Sequence, residues 1–199
     1  MPGLAELLAG DVLDVAPRLL NAVLRHETDD GPVAVRVTEV EAYTSDDPAS
    51  HAYRGSTPRN SVMFGPAGRL YVYFTYGMHH CCNIVVGSEG DPAAVLLRAG
   101  EVVEGVELAR SRRGSGDRDL ARGPARLCQA LGIDLDDDGA DLGVAPLTLD
   151  PGPAAEQVRT GPRVGLRKAA DRPWRFWVDG EPTVSAYRPA VVRRRGTTG

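Results

Sequence analysis

The stretch Val33-Ala34-Val35-Arg36-Val37-Thr38-Glu39-Val40-Glu41-Ala42-Tyr43 decides the fold class. Apolar and polar residues alternate along it and β-branched side chains dominate, so it reads as a strand. A period of two puts Glu39, Glu41 and Tyr43 on one face, carboxylates beside an aromatic ring. A solvated strand edge would use the same alternation.

Working outward, Asp11 caps a helix running through Leu19, Leu20 and Val23, with Pro17 inside it. On the other side, residues 45–68 are rich in Pro, Gly, Ser and Asn and read as a long loop. His51, Tyr53, Met63 and Phe64 argue for an ordered loop, and loops of that length in a compact domain are usually functional. Residues 70–75 and 78–86 read as two strands joined by a tight turn at Tyr76-Gly77. Residues 93–99 form a short apolar strand and residues 101–113 a helix. Gly123-Pro124 opens a helix that ends at Gly132. Past Pro151 come short strands, with Trp174, Phe176 and Trp177 in the core, and Arg193 to Gly199 read as a frayed tail. The sum is an α+β pattern over residues 1–199, one domain, without the regular alternation of a doubly wound sheet.

A chain of 199 residues that is 42% hydrophobic can bury one real core. No run approaches the roughly 18 apolar residues of a membrane span, and Met1 to Gly10 lacks the basic start of a secretory signal, so a cytoplasmic location is expected. Cys81, Cys82 and Cys128 read as reduced thiols, not a disulfide framework. The net charge of −4 disfavours a nucleic-acid partner, but its distribution does not. Between His51 and Val86 lie Arg54, Arg59 and Arg69 and no acid. Between Leu108 and Arg126 lie six arginines against Asp117 and Asp119. Local charge decides contact with phosphates.

Tyr71 and Tyr73 share a strand face, whereas Tyr76 sits at a hairpin tip beside Arg69. A ring there either folds back on the sheet or serves as a wedge between bases. Arg98 follows the apolar run Ala93 to Leu97, so its guanidinium emerges at the end of a buried strand; Glu41 is a candidate partner, and such pairing keeps a carboxylate ionised. Metal readings fail. His79-His80-Cys81-Cys82 alternates faces and cannot converge on one ion. Asp134, Asp136, Asp138 and Gly139 open like a calcium loop, but its twelfth position is Ala145. Lys168 is the one lysine, no phosphate-binding glycine loop is present, and no serine or cysteine nucleophile motif occurs.

Longer runs are more specific. Residues 38–43, Asp47-Pro48-Ala49-Ser50-His51-Ala52-Tyr53-Arg54-Gly55, Thr57-Pro58-Arg59-Asn60, Met63-Phe64-Gly65, Tyr71-Val72-Tyr73 and Tyr76-Gly77-Met78 occur in that order. They are followed by Asn83, Val95-Leu96-Leu97-Arg98-Ala99, Leu127-Cys128-Gln129-Ala130-Leu131, Arg163-Val164-Gly165 and Trp174-Arg175-Phe176. Together, from Leu20 to Ser185, the chain resembles the alkyladenine (3-methyladenine) DNA glycosylase family. The resemblance implies a curved, mostly antiparallel sheet with flanking helices and a protruding β-hairpin that inserts into DNA. It implies Glu41 as general base, Arg98 and the main-chain carbonyl of Val164 as water contacts, and Tyr43, His51 and Tyr73 as walls stacking on a flipped base. Asn83 is then a pocket-floor residue, Tyr76 the intercalating residue, and Thr57, Arg59, Met78, His79 and Arg126 contacts to the DNA backbone. The implied partner is double-stranded DNA containing damaged purines, acted on by a monomer in a bacterial cell, near the nucleoid, with no cofactor or metal and no membrane. Two departures stand out: the segment from Tyr43 to Asp47 is one residue shorter than the family pattern and lacks its glycine, and Gly65-Pro66-Ala67-Gly68 replaces a double proline. The competing expectations are a non-catalytic binder of distorted DNA and a metal-dependent hydrolase built on residues 79–82.

Overall fold

Asp11 starts its helix as its residue type dictates, its side chain accepting the Leu13 N–H at 2.8 Å. In a computed structural model that describes residues 3–190, the chain runs α1 (Leu4–Leu8), α2 (Val12–Arg18), β1 (Val23–Thr28), β2 (Gly31–Tyr43), β3 (Leu70–Thr75), β4 (His79–Val86), β5 (Ala93–Glu104), α3 (Val106–Arg113), β6 (Ala121–Arg122), α4 (Pro124–Leu131), β7 (Gly143–Val144), β8 (Leu147–Asp150), β9 (Val158–Gly161) and β10 (Arg175–Val178). The tail expected at 193–199 lies outside the described residues. Several boundaries differ from the sequence reading. The first helix stops at Arg18, and Val23 begins β1, because Asn21 takes a left-handed turn (φ 67°) between them. Residues 101–104 continue β5 instead of opening a helix, and Gly105 (φ 70°) makes the break before α3.

Every strand pairing described is antiparallel, and the main path runs β3-β4-β5-β2-β1-β8-β7. The beam of this sheet is β2. It pairs with β5 along one edge, and with β1 and then β10 along the other. Val33, Val35 and Val37 point into the main core, but the next core residues are Val40 and Ala42, so the alternation slips by one. The slip is a bulge: the β2–β5 register shifts on both sides of Glu39. Odd-numbered positions therefore leave the core, and Glu39, Glu41 and Tyr43 go to the other face. Gly100, opposite Val37, is where the strands come closest; a Cβ there would lie 2.3 Å from Val35 Cγ1 and 2.5 Å from the Arg36 carbonyl oxygen.

The two faces are covered differently. On one, α2 and α4 close the large core with Val15, Ala16, Leu127 and Leu131. Gly123-Pro124 and a left-handed Gly132 bound α4 as expected. On the other face the long loop, ordered around a 3₁₀ turn at Ser61–Phe64, lays Ala52 and Met63 on Tyr71, Val85 and Ala94. The acidic run is structural: Asp134 and Asp137 cap a 3₁₀ turn reciprocally, and Asp138 accepts the Val72 N–H at 2.8 Å. Among the described residues no helix is long and apolar enough to cross a membrane.

Candidate active site

Alternation from the bulge onward aims Glu41 and Tyr43 at the loop-covered face, where they meet the wall of a cavity of about 380 Å³. That volume falls in the range of small-molecule pockets, roughly 300–1,000 Å³. Its lining brings together Glu41, Arg98, Tyr43, His51, Tyr73, Asn83 and Val164, with Tyr76 at the edge. Residues from six separate segments thus converge on one slot.

Glu41 has no surface open to bulk water. Its Oε1 accepts the Val164 N–H at 2.7 Å and faces Arg98 Nη1 at 3.2 Å, while its Oε2 accepts the Tyr43 hydroxyl at 2.8 Å. The solvated-edge alternative is therefore excluded. Arg98 stands within β5, not at its end, and spans two carboxylates: its Nε donates to Glu39 Oε1 at 3.1 Å. Burial opposes its charge, yet Glu41 and Glu39 more than offset this and raise its pKa. Val164 meets Glu41 through its N–H.

The walls are aromatic. The His51 and Tyr73 rings meet edge to face at 4.5 Å between centroids, and Tyr71 stacks on Tyr73 at 5.7 Å. Tyr71 supports from behind, its hydroxyl 2.9 Å from His51 Nδ1. Burial, then Glu41, raises the Tyr43 pKa; burial also raises Tyr73, pushes Tyr71 up to about 12 and Cys81 up to about 11. Burial and the nearby Arg59 charge lower the pKa of His51. At neutral pH the slot thus offers neutral rings and one paired carboxylate. Asn83, opposite Tyr71 in the β3–β4 ladder, donates to the Tyr71 carbonyl at 3.2 Å.

Tyr76 is 88% exposed at the turn between β3 and β4, where it (φ 52°) and Gly77 (φ 70°) both take left-handed conformations. The second strand begins at His79, one residue later than read, because Met78 belongs to the turn. Thr57, Arg59, Met78, His79 and Arg126 lie outside the slot. The Thr57 hydroxyl donates to Asn60 and Arg59 to the Phe74 carbonyl, while Met78 and His79 edge a separate groove against the end of α4. Arg126 is exposed on α4. The second arginine stretch is largely occupied internally: Arg110 pairs with Asp117, Arg112 bonds Thr28 and the Ala130 carbonyl, and Arg122 bonds the Val184 carbonyl.

A family model described as methylpurine-DNA glycosylase (MPG) matches residues 6–182. The chain belongs to this family. A relative from Streptomyces avermitilis, provisionally named a 3-methyladenine DNA glycosylase, is 57% identical over 96% of this chain and 94% of its own length. Relatives with the same provisional name from Leifsonia xyli and Cutibacterium acnes are 54% and 45% identical, covering 94% and 91% of this chain and 92% and 98% of their own lengths. Methylpurine-DNA glycosylases are hydrolases of N-glycosyl bonds that serve DNA repair, and this chain is a DNA glycosylase.

Within this glycosylase several residues carry structure that their types alone did not announce. Glu39, wholly buried, binds Arg175 Nε at 2.6 Å and the Ser185 N–H at 2.6 Å in addition to Arg98. Asn60 pins the long loop, donating to the carbonyls of His51 and Gly55 at 2.9 and 3.1 Å. Arg163 and Asp47 form a fully buried ion pair. Each lies in or beside a run quoted for the resemblance, but burial, the property that gives them a role, is not written in any one of them.

Proposed function

We propose that the slot receives an alkylated or otherwise damaged purine turned out of duplex DNA, and that Glu41 activates the water that cleaves its N-glycosyl bond. The observation that carries this is a lone carboxylate facing a tyrosine- and histidine-lined cavity, held by Arg98, the Val164 N–H and the Tyr43 hydroxyl. Turning a base out of the stack costs a few kcal/mol, least for a damaged pair. Stacking on Tyr43, Tyr73 and His51 returns about 1–3 kcal/mol per base, more for an electron-poor ring. Tyr76 fills the vacated space as a wedge, and Asn83 reads the pocket floor. Thr57, Arg59, Met78, His79 and Arg126 face the backbone.

An N-alkylated purine carries positive charge and leaves as a neutral base once its bond to C1′ breaks. Water adds to C1′ and gives a proton to Glu41, whose second oxygen retains acceptor capacity beside the Tyr43 hydroxyl. The carboxylate also stabilises the cationic sugar as the bond stretches. Neutral walls suit this: a charged His51 would repel a cationic base, and its lowered pKa keeps it neutral. The product is an abasic site with an unbroken strand, since no amine enters the mechanism.

Release of free base from a duplex carrying 3-methyladenine tests the reading. Wild type releases it, also in the presence of chelator, and Glu41→Gln does not. Equal release by that variant removes Glu41 as the base. DNA binding with no release by wild type favours a non-catalytic binder of distorted DNA. Tyr76→Ser should weaken binding to lesion DNA without lowering the melting temperature, since the ring touches mainly solvent.

A further inference from the structure

Behind the segment between Tyr43 and Asp47 lies the most buried cation among the described residues. Arg163 is 1% exposed. Its Nη1 donates to the Ala42 carbonyl at 3.0 Å and pairs with Asp47, and its Nη2 donates to the Ala169 carbonyl at 3.3 Å. The guanidinium carbon lies 4.6 Å from the Tyr43 ring centroid and 5.2 Å from that of Trp174. Arg163 does not line the slot whereas Tyr43 does, so the cation covers the ring from outside.

Three parts of the slot meet at this one side chain. The Ala42 carbonyl and the Tyr43 ring belong to the end of β2, beside Glu41. Asp47 accepts the Ala49 N–H at 3.0 Å and its carbonyl accepts the Ser50 N–H at 2.8 Å, fixing the turn that leads into His51. Val164, the residue after Arg163, gives its N–H to Glu41. Gly165 fixes the other side of that turn through the Arg188 carbonyl at 2.9 Å.

We infer that Arg163, paired with Asp47, is a positioning residue that sets the Tyr43 wall, the His51 wall and the Val164 contact to Glu41 at once. It touches neither base nor sugar. Its work is geometric. Lysine is a poor replacement: its compact ammonium can pair with Asp47 but lacks the planar fork that spans carbonyls on two sides while lying flat against a ring. The inference rests on the proposed chemistry for its kinetic part and on geometry alone for the rest.

Two measurements test it on the full chain, with Arg163→Lys as the main variant and Asp47→Asn as the second. In the DNA-free protein, amide exchange at Val164 and Ala49 should quicken at least about tenfold while that of Val35 in β2 is unchanged. On a 3-methyladenine duplex at saturating enzyme, the rate per folded molecule should fall by about 10²-fold, the scale of an ångström-sized misplacement, with DNA affinity within about twofold of wild type. Unchanged exchange at both amides overturns the inference, and so does quickened exchange with a wild-type rate per folded molecule. Should wild type release no base, the proposed chemistry falls, and the exchange data alone decide the clamp. Asp47→Asn supports the inference if it repeats the pattern and overturns it if both readings stay at wild-type values.

Discussion

Glu39 and Glu41 sit two residues apart on one strand, equally buried, and share Arg98, yet their surroundings differ in kind. Around Glu39 the protein is solid: Arg98, Arg175, the Ser185 N–H and its hydroxyl saturate the carboxylate. Around Glu41 the partners are Arg98, the Val164 N–H and the Tyr43 hydroxyl, and all of them line the cavity. The difference teaches that burial and charge do not by themselves mark a reacting group. What separates the two is that Glu41 lines the cavity and Glu39 does not, which is why the proposed chemistry falls to Glu41. Arg98 joins the two regions, so the closed one braces the open one.

Isosteric substitution separates them. The largest effect is expected for Glu41→Gln, with excision falling about 10²–10⁴-fold while the urea midpoint stays near that of wild type, because Arg98 keeps Glu39. A comparable stability loss there would blur the contrast. Glu39→Gln should do the opposite in order of severity. It removes the countercharge of Arg175 and half that of Arg98, and breaking a buried pair costs about 3–5 kcal/mol, which urea denaturation reads directly. An unchanged midpoint would show that the closed region is not held by charge. Tyr43→Phe sharpens the contrast inside the open region. It deletes a hydrogen bond to a charged acceptor worth about 1.5–3 kcal/mol, so single-turnover excision should drop about tenfold or more with DNA affinity kept.

The smallest effect is a pH dependence. Burial and Arg59 hold the folded pKa of His51 below 6.5, so the native state binds fewer protons than the unfolded chain as pH falls. The stabilising contribution of neutral His51 is present above about pH 6.5 and declines below it. Urea midpoints between pH 7.5 and 5.5 should therefore fall less in His51→Gln than in wild type, and parallel profiles would remove His51 from the account.

Much of this was legible in the sequence, for identifiable reasons. The alternation of residues 33–43 and the Gly-Pro and Gly boundaries of α4 are local signals, and locally they decide. The slot residues were legible through motif order from Leu20 to Ser185, since neither spacing nor composition joins Glu41 to Val164 across the chain. What stayed hidden depends on contacts far along the chain. A strict period of two puts Val37 and Glu39 on the same face; the bulge that parts them is set by the pairing with β5, where Gly100 allows the close approach. Val23 continued a helical pattern until Asn21 turned the chain, and residues 101–104 carried apolar spacing that fits either element. Arg175 and Arg163 look like surface arginines in sequence, because only the fold shows which carboxylate each one covers. The arginine run from 110 to 122 looked like a phosphate surface, but much of its charge is met by nearby acids and carbonyls.

Ser185 closes its contact with Glu39 from 146 residues away. A ribosome therefore makes Glu39 and Glu41 long before the segment that braces Glu39. A nascent or prematurely terminated chain that lacks this late segment carries Glu41 without the support behind it.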